Sequence, residues 1–275
     1  MTHSIKNVAI AGASGNLGSQ ILAALLRNKQ FNVTVLSRSA RSFPADVQVK
    51  PVDFASLDEL TTALVGQDAV IDSTSSPEVE TPVRLIEAAA QAGVYRFITS
   101  DFGLDPDLAG VHELPVFARK KASYEACLST GFAGLNFREK KAWLFGDGNN
   151  VHPWTTLKDV GQATANILLR PQETLNRPVY IHSVFVSQSQ LFDMAKEVTG
   201  GDWTVMYNDM ELLLQRALED LRVGRISDAT FGVQIQYCLA NKALAHPWKL
   251  DDNQLVGLEE WDLEKVKGLI RGIAN

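Results

Sequence analysis

Short apolar, β-branched runs alternate with amphipathic stretches through the first part of the chain. The apolar runs predict strands over Asn7–Ala11, Asn32–Ser37, Val47–Val52, Ala69–Asp72 and Tyr95–Thr99. Between them, apolar residues at helical spacing predict helices, of which Asn16–Asn28 is the most regular. Strands and helices that alternate with short connections require right-handed crossovers and a parallel sheet covered on both faces. The first part of the chain is therefore predicted to be a doubly wound α/β fold.

The second half of the chain is less regular. Helices are predicted over Thr156–Leu169, from the Ser187/Gln190 capping box to Val198, over Met210–Val223 and over Leu258–Ile273. Strands are predicted over Lys140–Phe145 and Pro178–Val186. No internal repeat and no linker rich in proline and glycine separates the two halves. We expect a smaller α/β lobe here, attached to the edge of the sheet.

A glycine-rich segment, Gly12-Ala13-Ser14-Gly15-Asn16-Leu17-Gly18, follows the first strand and opens the first helix. That context is typical of a dinucleotide-binding loop of the Rossmann type. The first glycine permits a tight turn, the second lets the backbone approach a pyrophosphate, and the third lets helix and strand pack closely. The N-terminus of the helix then offers N–H groups to the phosphates. A purely structural turn is the alternative. The predicted cofactor-binding residues of this loop are Gly12, Ser14, Gly15, Asn16, Leu17 and Gly18.

The end of the second strand predicts which dinucleotide is bound. Proteins that bind NAD place an Asp or Glu there to accept hydrogen bonds from the ribose hydroxyls. Here the segment reads Leu36-Ser37-Arg38-Ser39 and has no carboxylate. Arg38 can make the charge-assisted contacts that a 2′-phosphate requires. The sequence therefore predicts NADP(H), although Arg38 could also be a solvated surface arginine.

Three further residues complete the predicted cofactor site. Asp53 follows the third strand and is placed to meet the adenine amino group, although a loop cap would explain it almost as well. Ser73 and Thr74 follow the fourth strand, where small side chains would let the cofactor lie flat over the edge of the sheet.

Composition and charge exclude several classes of function. A net charge of -6 argues against a protein that binds nucleic acid directly. No run of roughly eighteen apolar residues exists, so no membrane span is predicted. The N-terminus leads directly into a strand, which leaves no room for a signal peptide. Cys127 and Cys238 lack metal-ligand spacing and are expected to be free thiols. We expect a cytoplasmic protein without a metal.

Together these residues resemble the NmrA-like and isoflavone reductase-like branch of the short-chain dehydrogenase/reductase superfamily. The resemblance includes the glycine loop, the Ser37-Arg38 step and Asp53, and it continues through Arg96–Gly103, Phe117–Lys120, Gly146–Asn149 and Thr155–Gly161. It implies an NADP(H)-dependent oxidoreductase that transfers hydride to a small hydrophobic or aromatic substrate. Regulatory members of the family imply an alternative, a non-catalytic NAD(P)-binding redox sensor that reports to a protein partner.

The resemblance also implies a catalytic lysine. The reductases carry it in a Phe-x-x-Lys pattern on the helix after the fifth strand, and Phe117 and Lys120 match that pattern. Such a lysine can bind the nicotinamide ribose and assist proton transfer. On the residues alone, Arg119, Lys120 and Lys121 are equally consistent with a solvated helix face. The Tyr-x-x-x-Lys pair of typical short-chain dehydrogenases is missing, because the position four before Lys120 is Val116.

The interval between Lys120 and Gly146 is shorter than the family pattern. It spans 146 − 120 = 26 positions, too few for the rest of a helix, a sixth strand and a substrate-facing loop. The sixth strand is therefore predicted to be missing or shortened, which would reshape the substrate pocket and leave the cofactor loop intact. On this basis we divide the chain into an NAD(P)-binding domain at residues 1–128 and a substrate lobe at residues 129–275, which also completes the sheet edge.

Overall fold

A computed structural model describes residues 4–39, 42–74, 80–100, 102–103, 114–115, 135–137 and 139–274. The described residues fall into two units, each discontinuous in sequence. Unit 1 draws on residues 1–103, 155–181 and 251–259, and unit 2 on residues 104–154, 182–250 and 260–275.

Unit 1 is built on a parallel sheet with the strand order β3-β2-β1-β4-β5. Its strands are β1 (Asn7–Ala11), β2 (Asn32–Ser37), β3 (Val47–Pro51), β4 (Ala69–Asp72) and β5 (Arg96–Ile98). Its helices are α1 (Asn16–Asn28), α2 (Leu57–Leu64), α3 (Glu80–Gln91) and α4 (Leu157–Ile167). The sheet is buried on both faces: α1 and the C-terminal end of α4 contribute to one apolar cluster, while α2 and α3 contribute to the other. The predicted doubly wound α/β fold is confirmed.

Helix α4 explains why the units are discontinuous. It falls within residues 129–275 of the sequence, yet it packs along α1 in unit 1. The close approach needs a glycine, because a Cβ added to Gly161 would lie only 2.7 Å from the carbonyl carbon of Gln20. The sequence boundary expected at residue 128 assigns this helix to the substrate lobe, whereas its packing assigns it to the sheet.

Unit 2 contains the remaining strands and helices. The strands are β6 (Leu135–Asn136), β7 (Lys141–Phe145), β8 (Val151–Trp154), β9 (Val184–Ser187) and β10 (Thr204–Asn208). The helices are α5 (Gln188–Thr199), α6 (Met210–Arg222), α7 (Asp228–Ala240) and α8 (Leu263–Ala274). One sheet has the order β10-β7-β6 with β10 parallel to β7, and β8 pairs with β9 antiparallel. Its core includes Leu135 of β6, Leu144 of β7, Leu191 and Phe192 of α5, and Ile270 of α8.

Several element predictions are confirmed and others are wrong in extent. Strands β1, β2 and β4 and helix α1 have the predicted bounds, and the Ser187/Gln190 capping box is present. The strand predicted over Pro178–Val186 is too long, because only Val184–Ser187 pairs with β8. The last helix begins at Leu263 rather than Leu258, where the Asp262 carboxylate accepts the Lys265 N–H at 2.8 Å.

The described part of the parallel sheet ends at β5. Among the described residues, β5 pairs with β4 alone. The two-residue strand β6 pairs instead with β7, in the sheet of unit 2. Residues 116–134 lie outside the described residues.

Candidate cofactor site

The glycine loop connects β1 to α1 at the carboxyl edge of the sheet. Gly12 has φ +80°, a backbone conformation that side chains disfavour, and a Cβ there would lie 2.8 Å from the backbone nitrogen of Thr74. A Cβ on Gly18 would lie 2.8 Å from both the carbonyl carbon of Gly12 and the hydroxyl oxygen of Ser73. The first and third glycines are therefore required by close packing against the loop after β4.

The N-terminus of α1 is suited to an anion. Its N-cap is Gly15, which supplies no capping side chain, and the first turn contains no acidic residue. The Gly15 N–H donates to the Gly12 carbonyl at 2.9 Å, which closes the turn beneath the helix. Ser14, Gly15 and Asn16 are exposed, whereas the Leu17 side chain packs against the core. The dipole and the backbone N–H groups of this turn can therefore receive a pyrophosphate.

The loop after β4, Ser73-Thr74, packs directly against Gly12. The Ser73 hydroxyl donates to the Ala11 carbonyl at 2.6 Å. The backbone N–H and the hydroxyl of Thr74 both donate to one oxygen of Asp72, at 2.8 and 2.7 Å, and Asp72 is buried. The hydroxyls of Ser73 and Thr74 thus hold the loop in place, so these residues contribute to the site through the shape they give it.

Arg38 lies one residue beyond β2. Its side chain is exposed, and no ion pair or hydrogen bond of Arg38 is recorded within the part of the chain that the structure describes. The Ser37 hydroxyl donates to the Ser39 carbonyl at 2.8 Å, which fixes the turn that carries Arg38. An exposed guanidinium such as this one can bind a phosphate without first giving up a hydrogen bond to the described part of the protein.

Asp53 lies two residues beyond β3, the strand that pairs with β2. The Val52 N–H donates to the Ser37 carbonyl at 2.9 Å, which joins the two segments. One carboxylate oxygen of Asp53, Oδ1, accepts the Ala55 N–H at 2.9 Å, so the loop-cap role is real. The side chain is nevertheless exposed, and its other carboxylate oxygen, Oδ2, takes no part in this hydrogen bond. Both roles considered from the sequence are therefore compatible with the geometry.

The sequence-predicted catalytic residue, Lys120, lies outside the described residues, as do Phe117 and Cys127. The adenosine and pyrophosphate parts of the predicted site are therefore the parts brought together in the structure: the glycine loop, Arg38, Asp53 and the Ser73-Thr74 turn.

Two buried groups in unit 2 have strongly shifted pKa values because of desolvation. Burial lowers the pKa of His152 to about 4 and raises the pKa of the Cys238 thiol to about 12. A protonated thiol is a poor nucleophile and a poor metal ligand, so Cys238 is chemically inert in this environment. In the described ranges, no group of three or more His, Cys, Asp or Glu residues could hold a metal ion. No described helix combines the length and apolar character needed to cross a membrane.

Comparison with known proteins matches the chain to an NAD(P)H-binding family model, to oxidoreductases and to a structure solved with NADP+. A family model described as NAD(P)H-binding matches residues 12–128. The chain is 30% identical to the oxidoreductase poxI of Penicillium oxalicum, over 93% of this chain and 91% of the relative. It is 30% identical to the isoflavone reductase homolog IRL of Zea mays, over 77% and 80% of the two chains. The solved structure of AtPrR2 with NADP+ and (+)pinoresinol superposes with a TM-score of 0.72 at 18% identity, and covers 98% of this chain and 99% of that one.

Proposed function

Because this chain belongs to the NmrA-like, isoflavone reductase-like family of NAD(P)H-binding oxidoreductases, we propose that it uses NADPH to reduce a small aromatic or otherwise hydrophobic substrate. The observation that carries the proposal is the end of β2, where an exposed arginine stands in place of the carboxylate of an NAD-binding site. When bound, the nicotinamide cofactor supplies a hydride. The residues of this chain bind the cofactor, orient it and move a proton.

The preference for NADPH rests on charge and position. The planar guanidinium of Arg38 matches a phosphate with two parallel hydrogen bonds. Arg38 is joined through Ser37 and Val52 to the segment that ends at Asp53. Arg38 would therefore bind the 2′-phosphate while Asp53, on the adjoining segment, contacts the adenine of the same nucleotide. The relative AtPrR2, which shares the fold, was solved with NADP+.

The proposed substrate class rests on the relatives. One is named an isoflavone reductase homolog, and AtPrR2 was solved with (+)pinoresinol. For this chain we propose an aryl or enone acceptor whose carbon receives the hydride, while Lys120 holds the nicotinamide ribose and donates or relays the accompanying proton. We favour this reductase over the redox-sensor alternative, because the relatives described above are named an oxidoreductase and a reductase homolog.

The test is turnover with a panel of aryl ketones, quinones and enones, measured as loss of NADPH absorbance together with formation of the reduced product. We expect stoichiometric NADPH oxidation and product formation with at least one aromatic acceptor. A protein that binds NADPH but oxidises it no faster than buffer with every acceptor would overturn the reductase proposal in favour of the sensor.

A further inference from the structure

Asp53 is an exposed loop residue that is held by three hydrogen bonds. Its backbone N–H donates to the Oε2 atom of Glu59 at 2.8 Å. Its carbonyl accepts the Ser56 N–H at 3.0 Å, and its Oδ1 atom accepts the Ala55 N–H at 2.9 Å. The backbone on both sides of the Asp53 side chain is thus fixed, as is one of its two carboxylate oxygens.

The contact from Glu59 departs from the usual use of this residue pattern. Ser56 and Glu59 have the spacing of a capping box, in which the glutamate side chain returns to the backbone N–H of the N-cap serine. Ser56 does cap α2, because its side chain accepts the Glu59 N–H at 3.3 Å. Its own N–H, however, already donates to Asp53. The Glu59 carboxylate is therefore free of the N-cap and reaches Asp53 instead.

A second helix braces the same loop from another direction. Arg84, in α3, donates from Nη1 to the carbonyl oxygen of Phe54 at 3.0 Å. Its side chain is half-buried, and the Phe54 ring packs partly against the cluster formed by α2 and α3. A charged donor to a backbone carbonyl gives a stronger hydrogen bond than a neutral one. The Phe54–Ala55 peptide is therefore tied to α3, while Asp53 itself is tied to α2.

This bracing leaves one polar atom of Asp53 for a ligand. No hydrogen bond of its second carboxylate oxygen, Oδ2, is recorded among the residues that the structure describes, and the side chain is exposed. Through Val52 and Ser37 the braced loop is joined to the segment that carries Arg38. A carboxylate oxygen accepts hydrogen bonds only. It can therefore accept one from an exocyclic amino group and is repelled by a carbonyl oxygen in the same place.

We propose that Glu59 and Arg84 are positioning residues that aim Oδ2 of Asp53 at the 6-amino group of the cofactor's adenine, and so set the base specificity of the site. The inference rests on the proposed function, since it requires NADPH to bind at this edge of the sheet. Neither residue touches the cofactor in this account. Each acts by limiting the orientations that Asp53 adopts.

The test compares the affinity for NADPH with that for reduced nicotinamide hypoxanthine dinucleotide phosphate, in which a carbonyl oxygen replaces the 6-amino group. For the wild-type protein we expect NADPH to bind about tenfold more tightly, as befits one hydrogen bond to an exposed charged group. Glu59→Ala and Arg84→Met should each reduce this ratio to about threefold or less without changing the melting temperature by more than a few degrees. Glu59→Gln, which keeps an acceptor oxygen, should restore most of the ratio.

Asp58→Ala is the matched control, because Asp58 is an exposed acid in the same turn of α2, and its loss changes the charge equally. Its ratio should equal that of the wild type. Equal ratios in Glu59→Ala and Asp58→Ala would overturn the positioning role of Glu59, and an unchanged ratio in Arg84→Met would overturn that of Arg84. A wild-type ratio near one would overturn the inference alone, whereas failure of the wild type to bind either nucleotide would overturn the proposed function with it.

Discussion

Replacement of Gly18 by alanine tests whether the glycine loop is a fitted site or an ordinary turn. The added Cβ would lie 2.8 Å from the carbonyl carbon of Gly12 and 2.8 Å from the hydroxyl oxygen of Ser73. Ordinary van der Waals contact begins at 3.4 Å, so these two contacts alone require α1 and the loop to separate by 3.4 − 2.8 = 0.6 Å, and the Gly12 carbonyl oxygen, which lies closer still to the added Cβ, requires more. The Ser73 hydroxyl has little freedom to move, because it donates to Ala11.

Overpacking of this kind costs about 1–3 kcal/mol of folding free energy, and the displacement also moves the N–H groups that would bind the pyrophosphate. Loss of one hydrogen bond to a charged group costs about 1.5–3 kcal/mol, so we expect Gly18→Ala to weaken NADPH binding roughly 10–100-fold. Gly15→Ala should do less, because its Cβ would lie 3.3 Å from the Gly12 carbonyl oxygen, where a small adjustment suffices.

The assay is a fluorescence titration with NADPH, accompanied by a thermal melt. Gly268→Ala in α8 is the control, because a Cβ there meets no atom within 4 Å and alanine is the better helix former. Its affinity should equal that of the wild type. Affinity within twofold of the wild type in Gly18→Ala, with the protein folded, would refute the argument that close packing at Gly18 shapes the cofactor site.

Two further outcomes are expected. Lys120→Ala should lower kcat for NADPH oxidation by about 100-fold or more, the usual contribution of a proton-transferring side chain, and an unchanged kcat would remove Lys120 from the proposed reaction. The depressed pKa of His152, about 4 against 6.5, means that the unfolded chain takes up a proton that the folded chain excludes. The free energy of unfolding should therefore fall by up to about 3 kcal/mol as the pH drops from 6.5 to 4. Urea titrations at several pH values should show a smaller fall for His152→Phe, and parallel curves for the two proteins would contradict the assignment.

The sequence predicts unit 1 well because its signals are local. Glycine marks the turn before α1, and the buried strands are short apolar runs. Unit 2 is harder, because its elements depend on partners far along the chain. Strand β10 is missed, since its outward residues are exposed and it pairs with β7, some sixty positions earlier. Helix α7 is missed, because its own apolar side chains are distributed around the whole helix and do not recur on one face.

The candidate site shows the same division. The glycine loop and Arg38 are recognised from residue type and position, because each follows a strand whose end is predicted correctly. The role of Asp53 is left open by the sequence, since a cap and a ligand contact use the same carboxylate. Glu59 and Arg84 are missed, although Ser56-Leu57-Asp58-Glu59 has capping-box spacing. That spacing predicts the helix start, and only the geometry shows that the glutamate reaches Asp53 instead.

The most direct test of the account is a calorimetric titration of the wild-type protein and of Arg38→Ala with NADPH and with NADH. The account predicts that the wild type binds NADPH at least about tenfold more tightly than NADH, as one charge-assisted contact to the 2′-phosphate requires. Arg38→Ala should lose this preference by weakening NADPH binding, with the affinity for NADH little changed. Equal affinity of the wild type for the two cofactors would contradict the assignment of Arg38 to the 2′-phosphate and the NADPH dependence built on it.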